Sequence, residues 1–146
     1  MTSIVHVDMD DVMCDFTSAY QLAKKSNPEI EFPQSVPRFY LELEPIAEAI
    51  ESVNLLRQKF DVYVLTAPST HNPLCYTEKR IWIEDKFDFE FTNKLIISPN
   101  KGLLIGDYLI DDHDRGRGQE SFQGKLLQFG TSPFESWIQI RQFFKV

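Results

Sequence analysis

The chain has only two cysteines, Cys14 and Cys75, far apart and outside any C-x-x-C or Cys/His cluster. That scarcity excludes a disulfide framework and offers no zinc site, so both are read as ordinary thiols. The three histidines, His6, His71 and His113, show no ligand spacing and take no role. Positive charge is also short. Fifteen Lys and Arg stand against 22 Asp and Glu, and the net charge of -7 repels a polyphosphate backbone, which excludes nucleic-acid polymers as partners. No apolar stretch approaches the length of a bilayer crossing. The opening MTSIVHVDMD lacks a basic region followed by an apolar one, so a cytoplasmic protein with no membrane partner is expected. Internal repeats and low-complexity tracts are absent.

What is present suits one domain. A length of 146 residues with 42% apolar side chains is enough for a single buried core, so one active site is expected in one domain spanning residues 1–146. Short apolar runs alternate with longer amphipathic ones. Ile4 to Val7 reads as a buried parallel strand, and Val12 to Ser26 as a helix after it. Residues 27–45 hold Pro28, Pro33, Pro37 and Pro45, which break any long helix, with Phe32, Phe39 and Tyr40 between them. The spacing then predicts a helix starting at Pro45 and running through Ile46, Ile50, Val53 and Leu56. Strands follow at Val62 to Leu65, Leu95 to Ile97, Tyr108 to Ile110 and Lys125 to Phe129, with an amphipathic helix at Leu74 to Phe87. A closing helix begins after Ser132 and Pro133 and carries Trp137, Ile138, Ile140 and Phe144. This alternation predicts an α/β fold, a three-layer Rossmann-like domain with a mainly parallel sheet and a short helical or irregular cap inserted after the first strand, at about 16–45.

In such sheets ligands bind beyond the carboxyl ends of the strands, and polar residues gather there: Asp8 and Asp10 after the first, Thr66 after the second, Asp111 and Asp112 after the fourth. Phosphoryl transfer needs a nucleophile, a proton donor for the leaving oxygen and positive charge on the equatorial oxygens. Asp8-Met9-Asp10 offers two carboxylates spaced to face phosphorus and leaving group. Thr66 offers a hydroxyl and Lys101 an ammonium. The Asp111-Asp112 pair beside Asp8 requires a compensating cation, and hard carboxylate oxygens suit Mg²⁺.

Asp8-Met9-Asp10, Leu65-Thr66, Lys101 and Ile110-Asp111-Asp112, in that order, resemble the four motifs of the haloacid dehalogenase superfamily. Within it the segments D-M-D-D-V-M-C-D-F, Y-T-E-K-R-I-W-I-E and G-D-Y-L-I-D-D-H-D-R-G-R-G-Q-E are similar to the 5'(3')-deoxyribonucleotidases, a likeness running from Val5 to Gly130 except in the proline-rich excursion. The resemblance implies that Asp8 attacks phosphorus and Asp10 acts first as acid, then as base. It implies Mg²⁺ on Asp8, the Asp10 backbone carbonyl and one of Asp111 and Asp112, with Asp112 favoured as the direct ligand. Thr66, Lys101 and Lys79 would meet the phosphate, with Ala67 beside them at the substrate; from the residues themselves, Phe16, Phe39 and Tyr40 are candidates to sandwich a base, with core packing as the alternative. The chain departs from the family at Asp11, usually Gly, at Ala67, usually a hydroxyl residue, and at Pro99, usually basic.

The expected activity is therefore hydrolysis of a nucleoside monophosphate. A sugar phosphate or other small phosphomonoester is the alternative, in view of the short cap. A signalling receiver domain has similar residue types, but its acidic pair precedes the phosphoacceptor, the reverse of the order here. A nucleotide-binding protein without turnover is the non-enzyme alternative, motivated by Asp11 and Ala67.

Overall fold

The computed structural model describes residues 1–146. Five strands form one sheet: β1 (Ile4–Val7), β2 (Asp61–Thr66), β3 (Leu95–Ile97), β4 (Tyr108–Asp111) and β5 (Lys125–Gln128). Their order is β3-β2-β1-β4-β5 and every pairing is parallel. A parallel sheet covered on both faces favours continuous β-branched and aliphatic runs, and Val5, Val7, Val64, Leu65, Leu109 and Ile110 are all fully buried. The expected α/β Rossmann-like class is the observed one.

Four helices accompany the sheet: α1 (Phe16–Ser26) and α2 (Ala49–Arg57) between β1 and β2, α3 (Leu74–Lys86) between β2 and β3, and α4 (Trp137–Phe144) after β5. The larger core packs Val53 and Leu56 of α2, Trp82 and Ile83 of α3, and Trp137, Ile140 and Phe144 of α4 with the strand valines. The opposite face holds a smaller cluster of Leu65, Leu109 and Phe122, roofed by short 3-10 turns at Lys101–Leu103 and Gln119–Ser121. No helix is long and apolar enough to cross a membrane.

Three helix starts differ from the sequence reading by several residues. The first helix starts at Phe16, not Val12, because the amides of Val12, Met13 and Cys14 all turn back onto the Met9 carbonyl at 2.8–3.1 Å. Asp11 takes φ 63 in that turn, the left-handed region where Gly is easiest. Its carboxylate accepts from both the backbone N–H and the hydroxyl of Thr17, at 2.9 and 2.6 Å. Pro45 does not open α2. It bridges to Cys14, and the chain reaches α2 only after Glu48 passes through φ 67. Nor do Ser132 and Pro133 open α4; Ser136 does, through a reciprocal capping box with Gln139. That S-W-I-Q signal was available in the sequence.

Topology makes the site. The chain leaves β1 toward β2 and β3 on one side, then crosses to β4 and β5 on the other, so β1 and β4 are neighbours at the point where the order reverses. Their register pairs Val7 with Ile110, and the Asp8 amide donates to the Ile110 carbonyl at 2.9 Å. Asp8 and Asp111, the next residues, therefore emerge side by side.

Candidate active site

The cleft at this end of the sheet has a volume of about 370 Å³. Of the predicted site residues, Asp8, Asp10, Phe16, Ala67, Lys101 and Asp112 line it. Thr66, Lys79 and Asp111 are fully buried beneath its floor.

Lys101 is the hinge of the floor. Its ammonium lies 2.9 Å from Asp8 Oδ1 and 2.5 Å from Asp111 Oδ2. Burial alone would lower the pKa of this ammonium, but the charges of Asp8 and Asp111 outweigh it and hold the group above its ordinary value. The Asp8 carboxyl is shifted upward as well, which for an acid favours the neutral form. Burial raises its carboxyl above the usual range, although Lys101 pulls it down.

Both oxygens of Asp111 are already engaged. Oδ2 accepts from Lys101 and, at 3.3 Å, from Gln119 Nε2, while Oδ1 accepts from the His113 backbone N–H at 2.9 Å. Asp112 is the opposite case: its Oδ1 is buried without any hydrogen-bond partner. Burial, reinforced by Asp8, Asp111 and Asp11, pushes the Asp112 carboxyl up to about 8. Carboxylate oxygens of Asp8, Asp111 and Asp112 lie within 4.8 Å of one another. An orphaned carboxylate oxygen inside a cluster of hard oxygen donors fits a small divalent cation, which would relieve both the repulsion and the missing partner.

Lys79 is not the solvated charge that its place in T-E-K-R allows. All three of its protons are committed inside the protein, to Asp10 Oδ2 at 3.1 Å, to the Thr66 hydroxyl, and to the Ala67 carbonyl at 2.9 Å. The ring of Tyr40 lies 5.1 Å away. Burial opposes its charge, yet Asp10, Cys75 and Asp8 raise its pKa. Asp10 itself keeps about a quarter of its side chain open to the cleft. Glu78, the residue before Lys79, is also buried, accepting from the backbone N–H groups of Arg38 at 2.6 Å and Tyr40 at 3.1 Å.

That clamp sets one wall of the cleft. Phe16 and Tyr40 line it, and Phe39 meets both rings edge-on from behind. Tyr40, which the sequence offers with Phe16 and Phe39 as a base-stacking aromatic, lines the cleft, as do Thr17, Gln34, Ser69 and Gln119, which the sequence does not single out. For Gln119 and Arg117 the available signal was the compact G-R-G-Q run directly after the acidic pair.

Comparison with known proteins places the chain among related ones. The model of the family described as 5' nucleotidase, deoxy (pyrimidine), cytosolic type C protein matches residues 30–141. A protein of Vibrio phage KVP40 assigned as a 5'(3')-deoxyribonucleotidase is 32% identical over 140 residues, covering 94% of this chain and 81% of that one. The human cytosolic 5'(3')-deoxyribonucleotidase is 37% identical over 86 residues, covering 58% of this chain. There the match spans only 43% of the human protein's length. Among solved structures, a haloacid dehalogenase hydrolase from Bacillus subtilis, determined with magnesium bound, superposes with a TM-score of 0.68 over 99% of both chains at 12% identity. That likeness is one of fold.

Proposed function

This chain belongs to the 5'(3')-deoxyribonucleotidase family of the haloacid dehalogenase superfamily, and on that premise we propose that it hydrolyses a nucleoside monophosphate through a phosphoryl-aspartate formed on Asp8. The observation that carries the proposal is the junction of β1 and β4. Asp8 stands beside Asp111 with Lys101 bonded to both, and Asp112 has a buried oxygen in want of a cation.

In this mechanism an Asp8 carboxylate oxygen attacks phosphorus as the bond to the leaving alkoxide breaks, and Asp10 delivers the proton that makes the alcohol. Asp10, now ionised, takes a proton from water. The water oxygen attacks the same phosphorus, releasing inorganic phosphate and restoring Asp8. Lys101 neutralises charge on the phosphoryl oxygens. The hydroxyl of Thr66 accepts from Lys79 and donates to the Ala67 carbonyl at 3.5 Å, a long bond that it would exchange for one to a phosphoryl oxygen. Mg²⁺ held by Asp8, the Asp10 carbonyl and Asp112 would add Lewis-acid stabilisation of the same oxygens. The commitments of Asp111 assign it to holding Lys101, which favours Asp112 as the direct ligand.

For Lys79 the geometry favours a role other than phosphate contact. With every proton committed below the floor, it fixes the rotamer of Asp10 and acts as a positioning residue. The segment at about 16–45 serves as a reduced cap, with Phe16 and Tyr40 as the apolar walls for the base.

The test is phosphate release from a panel of nucleoside monophosphates and sugar phosphates with Mg²⁺, comparing native protein with Asp8→Asn. Preferred hydrolysis of nucleotides and a dead variant are expected. Preference for a sugar phosphate would overturn the substrate, and turnover unaffected by Asp8→Asn would overturn the mechanism.

A further inference from the structure

The cleft is short of uncommitted positive charge. Four carboxylates line it, from Asp8, Asp10, Asp11 and Asp112, while the lining side chains of fixed positive charge are Lys101 and Arg117. Lys101 is tied to Asp8 and Asp111, and Lys79, under the floor, to Asp10. Of the two arginines in the loop after the acidic pair, Arg115 is folded onto Asp114 at 2.9 Å. The guanidinium of Arg117 has no ion pair and no hydrogen bond to the protein, although it lies on a cleft rich in carboxylates.

The backbone of Arg117, by contrast, is held on both sides. Its carbonyl accepts from the Lys101 amide at 2.6 Å, and its own N–H donates to Gln119 Oε1 at 2.8 Å. Gln119 in turn reaches Asp111 through Nε2. The loop closes onto the Lys101 turn at Gly118, where φ is 83 and an added Cβ would lie 2.0 Å from Asn100 Oδ1. An exposed side chain with a fixed root and a free cationic end, on the cleft that the nucleophile also lines, is available to an anion that the protein does not itself supply.

We propose that Arg117 receives the phosphoryl oxygens of the substrate, its planar fork of donors pairing with two of them. The substrate class, a dianionic phosphomonoester, rests on the reading above. Arg117 is thus a further substrate-binding residue, contributed by the loop that also locks Asp111 and Lys101.

The experiment is calorimetric titration of inorganic phosphate into the native chain, Arg117→Ala, Arg117→Lys and Arg115→Ala, with Mg²⁺ at physiological ionic strength. There the Debye length of about 8 Å damps general surface-charge effects. The expected result is phosphate affinity reduced about tenfold or more in Arg117→Ala. Arg117→Lys, which keeps the charge but not the fork, should recover part of it. Arg115→Ala should bind as the native chain does, and melting temperatures should be unchanged because the Arg117 side chain has no partner to lose. Unchanged affinity in Arg117→Ala, an equal loss in Arg115→Ala, or no phosphate binding by the native chain would overturn the proposal. Phosphate binding that depends on Arg117 without hydrolysis of any nucleotide would overturn the nucleotidase reading and leave this one standing.

Discussion

The most informative single side chain is Lys79, because burying an ammonium is unfavourable unless every proton is satisfied and the charge is paired. Here both conditions are met by groups with chemical duties: the proposed acid-base residue Asp10, the Thr66 hydroxyl, and the carbonyl of Ala67. A phosphate contact would require Lys79 to give up one of those bonds and reach through the floor. A role in orienting Asp10 requires no movement. The two roles separate kinetically. Lys79→Met is expected to lower kcat by about 100-fold or more, the lower range for loss of positioned acid-base catalysis, with KM nearly unchanged. A rise in KM at constant kcat, measured by steady-state phosphate release, would instead indicate direct phosphate binding. The substitution also leaves buried acceptors without a donor, which costs about 1–3 kcal/mol, so a urea melt must accompany the kinetics.

At the level of elements, α3 has two jobs that adjacent residues divide between them. Lys79 holds the loop after β1, and Glu78 holds the excursion that carries Tyr40. Beyond a 3-10 turn at Pro33–Ser35 neither segment has helix or strand of its own, so these buried charged groups help to set their shape. Glu78→Ala leaves the Arg38 and Tyr40 amides without their acceptor and frees the Tyr40 wall. The expected outcome is a destabilisation of about 1–3 kcal/mol and a higher KM for nucleotide, with kcat less affected because Asp8, Asp10 and Lys101 are untouched. Equal KM in native and variant protein would detach the excursion from substrate binding. The same pair explains what was legible in the sequence. The strands were readable because β-branched runs such as Ile4 to Val7 have one buried solution, and the acidic pair because it follows a strand directly. T-E-K-R was not, since periodicity cannot distinguish a solvated charge from one satisfied by a backbone distant in the chain. The starts of α1 and α2 were misjudged for a related reason: left-handed turns at Asp11 and Glu48 override the helix propensity around them.

Across the whole molecule, the excess of negative charge and the acidic cleft act together to disfavour the metal-free state. The net charge is -7, and Asp8, Asp111 and Asp112 converge at one end of the sheet. Removing one of these charges without changing the shape should therefore stabilise the protein when no metal is present. Adding a cation should stabilise the native sequence more. A ligand that binds only the folded state at a concentration about 100 times its dissociation constant contributes about 2.7 kcal/mol. For a chain of this size that corresponds to roughly 5–10 °C in melting temperature. Asp112→Asn keeps the volume of the side chain but gives up the charge on the orphaned oxygen. The expected pattern is a crossing: in chelator the variant melts above the native protein, and in saturating Mg²⁺ the native protein melts above the variant, whose own shift is largely lost. Thermal melts by circular dichroism with chelator and with Mg²⁺ measure this without reference to turnover. A native protein indifferent to Mg²⁺, or a variant that keeps the full shift, would remove Asp112 from the metal site. Either result would leave the raised Asp112 carboxyl, and the buried oxygen beside the nucleophile, requiring a proton in place of the cation.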